Sequence, residues 1–238
     1  MTKRALDVVA AALLLVVAVP IMAAAMLAIW LDDGGPALYR APRVGRGGRD
    51  FSMLKLRTMT IAADRQGAAS TSRSDARITA IGRCLRATKV DELPQLWNVL
   101  AGDMSIVGPR PNSRRGGVDH YTAAEMRLLS IRPGITDLAS IVFADEGAIL
   151  DGAADPDARY DALIRPWKSR LGLLYIDHAS AAADLAIIAL TAIALIARPL
   201  ALRGVDAVLF RWGASDALRR ASLRREPLIP TPPPGAMA

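Results

Sequence analysis

At 238 residues the chain is long enough for one substantial domain with appendages and too short for two large ones. Its 52% hydrophobic content and mean hydropathy of +0.25 coincide with a formal net charge of +7, a pairing that suits an anionic membrane surface or a phosphorylated substrate. Few aromatic residues and no helix-turn-helix, zinc-finger or RNP-type pattern argue against nucleic acid; the lone Cys84 rules out an internal disulfide; and the isolated His120 and His178 argue against zinc.

The first predicted element is "VVAAALLLVVAVPIMAAAMLAIWL", 24 uncharged residues from Val8 to Leu31, where about 20 suffice to cross a bilayer. It exceeds the apolar core of a signal peptide and is therefore expected to be retained. Pro20, near its middle, removes a backbone donor and predicts a bend or break. Lys3 and Arg4 precede the run, and Arg40, Arg43, Arg46 and Arg49 follow it. With both flanks basic, a helix that turns at Pro20 and leaves by the face it entered fits as well as a kinked spanning helix.

Gly34, Gly35 and Pro36 then predict a turn, and "ALYR" and "FSMLKLRTM" read as strands joined by the hairpin loop "GRGG", Gly45 to Gly48. That loop lacks the spacing of a phosphate-cradling motif. Residues 62 to 76, small and polar, predict an exposed, mobile loop. Ile78, Ile81 and Leu85 form one helical stripe; Leu93, Leu96, Trp97 and Leu100 form a second, which Gly102 stops. "MSIVGPRP", Met104 to Pro111, reads as a short strand ending in a rigid turn, and "RPGIT", Arg132 to Thr136, as a type II turn. Ala181 to Ala197 carries one charge, Asp184, and is short for a spanning helix, so an interfacial amphipathic helix and a buried core helix both fit. The proline-rich end, "RREPLIPTPPPGAMA", predicts disorder.

Between the two stripes lies "TKVDELPQLWNVL". With Thr88 as N-cap, Asp91 completes a variant capping box, which explains one carboxylate. It does not explain Asp91 and Glu92 together beside Arg77, Arg83, Arg86 and Lys89. A helix N-terminus and neighbouring cations keep a carboxylate ionised. An ionised carboxylate attacks phosphorus, a second one holds Mg²⁺, and guanidinium and ammonium groups clamp the remaining phosphate oxygens.

"LYRAPRVGRGGRDFSMLKLRTM", "DARITAIGRCLRATKVDELPQLWNVLAGDMSIVGPRP" and "RPGIT" resemble the bacterial sugar transferase family, the monotopic phosphoglycosyl transferases, in one order across residues 3 to 197. The resemblance implies transfer of a sugar-1-phosphate from a nucleoside-diphosphate sugar, usually a UDP-sugar, to undecaprenyl phosphate, with release of UMP. It implies Asp91 as nucleophile, Glu92 as ligand of Mg²⁺, and Lys55, Arg86 and Arg110 on the diphosphate, with Arg57 and Arg132 either further phosphate ligands or ion-pair partners. It also implies a re-entrant N-terminal helix with both ends on the cytoplasmic face of the bacterial inner membrane. Here Val19 stands where the family has a serine before the proline, and Asp137 follows "RPGIT" where glycine is commoner.

The expected fold is thus α+β and mostly helical. A membrane anchor of the helix-break-helix type (residues 1 to 33) precedes a catalytic domain with a β-hairpin and interfacial amphipathic helices (34 to 200) and a C-terminal extension (201 to 238). Membrane lipid is an expected partner and a homo-oligomer is compatible with the sequence. A non-catalytic adaptor of a glycan-assembly complex is the alternative, and loss of either acid would be its mark.

Overall fold

The computed structural model describes residues 2–63, 70–115 and 117–236 and is mostly helical, with two small sheets. Helix α1 (Thr2–Asp33) continues through Pro20, so the expected break is not a break in secondary structure. Packing accounts for this. Ala11, Leu15, Ala18, Met22, Ala25 and Ile29, spaced alternately four and three apart, form one buried stripe that continues on both sides of the proline. Pro20 itself is exposed, so its missing donor falls on the outer face. That face also exposes Leu13, Val16, Val17, Leu27 and Leu31.

Both ends of α1 are tied to the same domain. Near its start Lys3 donates to the Val107 carbonyl at 3.2 Å and pairs with Asp184. Arg4 donates to the Val99 and Leu100 carbonyls at 2.6 and 3.0 Å. Asp7, buried, accepts from Ser105 Oγ at 2.8 Å and from the Ile106 N–H at 3.0 Å. At the far end Asp33 meets Arg57 through two bonds of 2.5 and 2.6 Å, which, with the Gly35 N–H, pull its carboxyl down to about 2. A 32-residue helix is about 48 Å long.

Strands β1 (Leu38–Val44) and β2 (Asp50–Leu56) form the expected antiparallel hairpin around the glycine loop. Helix α2 (Ala80–Thr88) starts at Thr79, whose hydroxyl caps the Gly82 N–H at 2.9 Å. Thr88 is therefore not an N-cap: it ends α2, and its hydroxyl donates back to the Cys84 carbonyl at 3.0 Å. Lys89, left-handed at φ 59°, turns the chain into a single 3-10 turn (Val90–Glu92), and α3 (Gln95–Ala101) follows, closed by Gly102 at φ 96°. Buried Asn98 stitches α3 to the hairpin, accepting from the Leu54 N–H and donating to the Ser52 carbonyl, both at 2.8 Å. Trp97, expected in the buried stripe, is half exposed.

Strands β3 (Ser105–Val107) and β4 (Gly134–Thr136) pair in parallel, and "RPGIT" is therefore not a type II turn. Gly134 is extended, and it is required for contact rather than for positive φ: a Cβ there would lie 2.1 Å from the Gly108 nitrogen. Helices α4 (Leu138–Val142), α5 (Glu146–Ile149), α6 (Pro156–Leu163) and α7 (Arg165–His178) complete the domain with α8 (Ala181–Arg211) and α9 (Asp216–Leu223).

Helix α8 is broken where α1 is not. Ala197 leaves helical geometry (φ −139°, ψ 69°) two residues before Pro199. The halves fold together so closely that a Cβ on Gly204 would stand 2.2 Å from Leu190, although 14 residues of straight helix span about 21 Å. By length and composition α1 and α8 could each cross a membrane, but the fold at Ala197 divides α8 into two short pieces. Its first half satisfies both readings of the sequence: Ile187 is buried in the core, while Leu185, Leu195 and Ile196 point outward. The second half buries Ala201, Val205 and Leu209 in that same core, so the C-terminal extension is continuous with the domain.

Of the predicted loop 62–76, residues 64–69 lie outside the described part. The remainder is fastened to the α5 region by Arg73 N–H to Gly147 carbonyl (2.8 Å) and by Ser74 to Asp151. The proline-rich end, expected to be disordered, instead lies on the domain through Ala162 carbonyl to Thr231 N–H (3.1 Å) and Arg170 to Pro232 carbonyl (3.0 Å). Replacing Gly134 by alanine should cost about 3 kcal/mol by overpacking, read as a lowered unfolding transition in detergent.

Candidate active site

A cleft of about 1980 Å³ runs between the hairpin, the 3-10 turn, the β3–β4 pair and the α4–α7 region. Asp91 and Glu92 enter it from the 3-10 turn, not from the first turn of a helix begun at Thr88. Their surroundings differ sharply. Glu92 is gripped by Arg110, Nη2 to Oε1 at 2.6 Å and Nη1 to Oε2 at 3.3 Å, with Lys55 Nζ at 3.7 Å. Burial works to raise its carboxyl, but Arg110 and Lys55 outweigh it and hold Glu92 well below the ordinary carboxylate range. Asp91 is 5% exposed, and among the described residues its Oδ1 has no hydrogen-bond partner. Burial pushes its carboxyl up, with Lys55 opposing and the adjacent Glu92 charge adding to the rise.

The cations are held by independent elements. Lys55 comes from β2, fixed by the Asn98 bridge next door, and burial together with the nearby Arg110 charge lowers its ammonium to about 8. Arg110 follows β3 in "GPRP", and its backbone N–H donates to Asp137 Oδ2 at 3.2 Å. The other oxygen of Asp137 caps α4 through the Ser140 N–H at 2.6 Å. Asp137 thus clamps the loop that aims Arg110. Arg86, from α2, lines the cleft with Nε on Thr58 Oγ1 at 2.8 Å.

Two sequence candidates are engaged by the fold. Arg57 touches the cleft wall but spends its guanidinium on Asp33 and, at 2.6 Å, on the Pro36 carbonyl. Arg132 donates to the Gly102 carbonyl at 2.8 Å and does not line the cleft. Conversely, the cleft gains Arg43 from β1, whose guanidinium burial and the neighbouring Arg110 charge lower, and the pair Lys168–Glu146 beside Tyr160. Arg43 stood inside a recognised motif, but nothing local marked it from the surrounding arginines; Lys168 and Glu146 are 22 residues apart and carry no joint signal.

The opposite wall is apolar. Leu14, Val17 and Ile21 of α1 line it, with Thr191 and Leu195 of α8. A buried anionic pair, a ring of cations and a greasy margin therefore meet in one space, suited to a phosphorylated, amphiphilic ligand.

The family model described as bacterial sugar transferase matches residues 1–198. The UDP-glucose:undecaprenyl-phosphate glucose-1-phosphate transferase of Caulobacter vibrioides is 50% identical over 142 residues, 58% of this chain and 53% of that protein. The UDP-N-acetylgalactosamine-undecaprenyl-phosphate N-acetylgalactosaminephosphotransferase of Aeromonas hydrophila is 38% identical over 142 residues, covering 59% of this chain and 34% of the relative. The exopolysaccharide production protein PSS of Rhizobium leguminosarum bv. phaseoli is 41% identical over 145 residues, 58% and 72% of the two chains. The chain thus spans about half the length of the Caulobacter protein and a third of the Aeromonas one.

Calorimetric titration with UDP separates the two sets of cations. Lys55→Gln and Arg110→Gln should each weaken binding by at least about tenfold, the worth of a charge-assisted hydrogen bond. Arg132→Gln should leave it within about twofold.

Proposed function

The chain belongs to the bacterial sugar transferase family, and on that footing we propose that it transfers a sugar-1-phosphate from a UDP-sugar to undecaprenyl phosphate. The observation that carries this reading is the unlike pair of acids: Asp91 buried with a free oxygen, and Glu92 neutralised by Arg110 and Lys55. An Asp91 oxygen attacks the phosphorus that bears the sugar, and the bond to the UMP oxygen breaks, with its electron pair leaving on UMP. A phosphate oxygen of undecaprenyl phosphate then attacks the same phosphorus, forms the lipid diphosphosugar and returns Asp91 as a free carboxylate. Splitting the transfer this way lets donor and acceptor occupy one phosphate site in turn.

Burial strips water from Asp91 and so leaves it nucleophilic once ionised, while Lys55, Arg86, Arg110 and Arg43 offset the negative charge of the diphosphate. The donor set fits Mg²⁺: two carboxylates stand beside the site of a diphosphate, and the buried Asp91 Oδ1 is unpartnered. Among the described residues no cluster of three or more His, Cys, Asp or Glu side chains could hold a metal, so substrate oxygens would complete the shell. Glu92 would hold the ion by yielding part of its contact with Arg110 or Lys55, and the bound ion would neutralise diphosphate charge.

For the acceptor, the apolar margin formed by α1 and α8 is where a polyprenyl chain would leave the cleft for the bilayer. We place the protein on the cytoplasmic face of the inner membrane, with residues 1–33 as an anchor whose two ends stay on that face. Hydrogen bonds and ion pairs from both ends of α1 to one domain support this, because a perpendicular crossing would carry the packed stripe and its domain into the lipid. Residues 34–200 form the catalytic part, and the extension beyond shares its core.

Asp91→Asn should lower UMP release from the preferred UDP-sugar by at least about a thousandfold. In the wild type kcat/KM should be bell-shaped in pH. Activity falls on the acid side as Asp91 takes up its proton, at a pH above that of an ordinary aspartate. It falls again above about 8 as Lys55 loses its charge, and Lys55→Arg should move that alkaline limb upward. For topology, cysteines placed at Thr2 and Arg40 in a Cys84→Ser background should label only from the cytoplasm. Labelling from opposite sides would restore a crossing helix.

A further inference from the structure

A second, smaller cavity of about 480 Å³ lies at the fold of α8, lined by Arg198, Pro199, Leu202, Arg203, Leu223, Arg224 and Arg225. Apart from Arg198 its arginines lie beyond the family-matched residues. Among the described residues Asp145 is the one acid that meets them. It accepts from Arg198 at 2.7 Å and from Arg224 at 3.4 Å, while Arg198 also donates to the Val142 carbonyl at 2.9 Å. Arg224 is further fixed over the Phe143 ring at 5.6 Å. Its backbone is left-handed, φ 53°, at the C-terminus of α9, a position that favours glycine. Among the described residues Arg203 and Arg225 make no ion pair, and both are exposed. Four positive charges against one negative leave the cavity strongly cationic.

The location defines the anion. The fold of α8 ends an apolar run whose outermost residues, Leu195 and Ile196, are 67% and 91% exposed. Arginines that succeed such a run stand at the depth of lipid headgroups when the run is in the acyl region. Two guanidiniums preset by Asp145 and two left free match a phosphodiester, which takes bidentate donors from a planar fork.

We propose that this cavity binds the phosphate of an anionic phospholipid headgroup, with Arg203 and Arg225 as its free ligands and the Arg198–Asp145–Arg224 cluster as its frame. The site is separate from the Asp91 cleft. It rests on the membrane seating proposed above and not on the transfer reaction.

The test uses the full chain purified in detergent, titrated with dioleoyl-phosphatidylglycerol or dioleoyl-phosphatidylcholine and followed by native mass spectrometry. One phosphatidylglycerol should be retained at concentrations where phosphatidylcholine is not. Arg203→Gln combined with Arg225→Gln should weaken that retention at least about tenfold, as expected for two lost charge-assisted contacts. The same charge change at Arg127 and Arg159 should not. Arg203 and Arg225 hold nothing in the fold, and an unchanged melting temperature of the double variant verifies that.

Equal retention of the two lipids, or of phosphatidylglycerol by the double variant, overturns the proposal. So does displacement of the lipid by millimolar inorganic phosphate, which would mark a site for a soluble anion. Failure of the membrane seating is read separately, as wild-type protein that leaves washed membranes without detergent.

Discussion

Two carboxylates adjacent in sequence and withdrawn from water repel one another, and everything in the cleft answers to that repulsion. The fork of Arg110 closes on Glu92, Lys55 sits behind it, and Glu92 becomes a fixed, neutralised wall. Asp91 is left with the burial but not the fork, and its Oδ1 stays unspent. One acid is held as architecture, and the other is the reagent we propose. The difference depends on Arg110 arriving from the right direction, which requires β3 and β4 to pass at Gly108 and Gly134 with no side chain between them. It depends equally on Lys55 being presented by a strand that Asn98 has bolted to α3.

The cleft is also a boundary between two solvents. On the proposed function its cationic floor serves water-soluble phosphates, and its rim of Leu14, Val17, Ile21 and Leu195 faces hydrocarbon. Helix α1 joins them by presenting one stripe to the domain and the rest of its surface outward. Alanines at positions 11, 18 and 25 of the stripe let the helix approach the domain closely, which a stripe of leucines would not.

Much of this was legible in the sequence because it is local. Alternation around "GRGG" specified the hairpin, helical spacing specified α2 and α3, and the acid pair with its nearby arginines pointed at phosphate chemistry. What escaped was set by distant partners. Nothing near Arg57 shows that Asp33, 24 residues away, will absorb its charge, and nothing near Arg132 names the Gly102 carbonyl. Thr88 had the right residue type for a cap, but Thr79 had already taken that role one helix earlier. "RPGIT" has turn chemistry by composition, yet its glycine answers to a backbone 26 positions upstream, at Gly108. Proline likewise marked two helices and broke one. At Pro20 a continuous packed stripe overrides the lost donor, whereas at Pro199 the two halves gain a core by folding over each other.

The stripe on α1 has a consequence for how the protein comes to exist. Ala41, Met53, Leu96, Val99 and Met104 are covered by that helix, so a domain assembled without it would show an open apolar wound. On the membrane seating proposed above, the helix leaves the ribosome before every strand and helix that will rest on it, and its apolar length sends it into the bilayer first. The domain must then mature against a partner already in lipid. On that seating insertion is the template on which the protein's interior is completed, and a chain that missed the membrane would lack one wall of its own core.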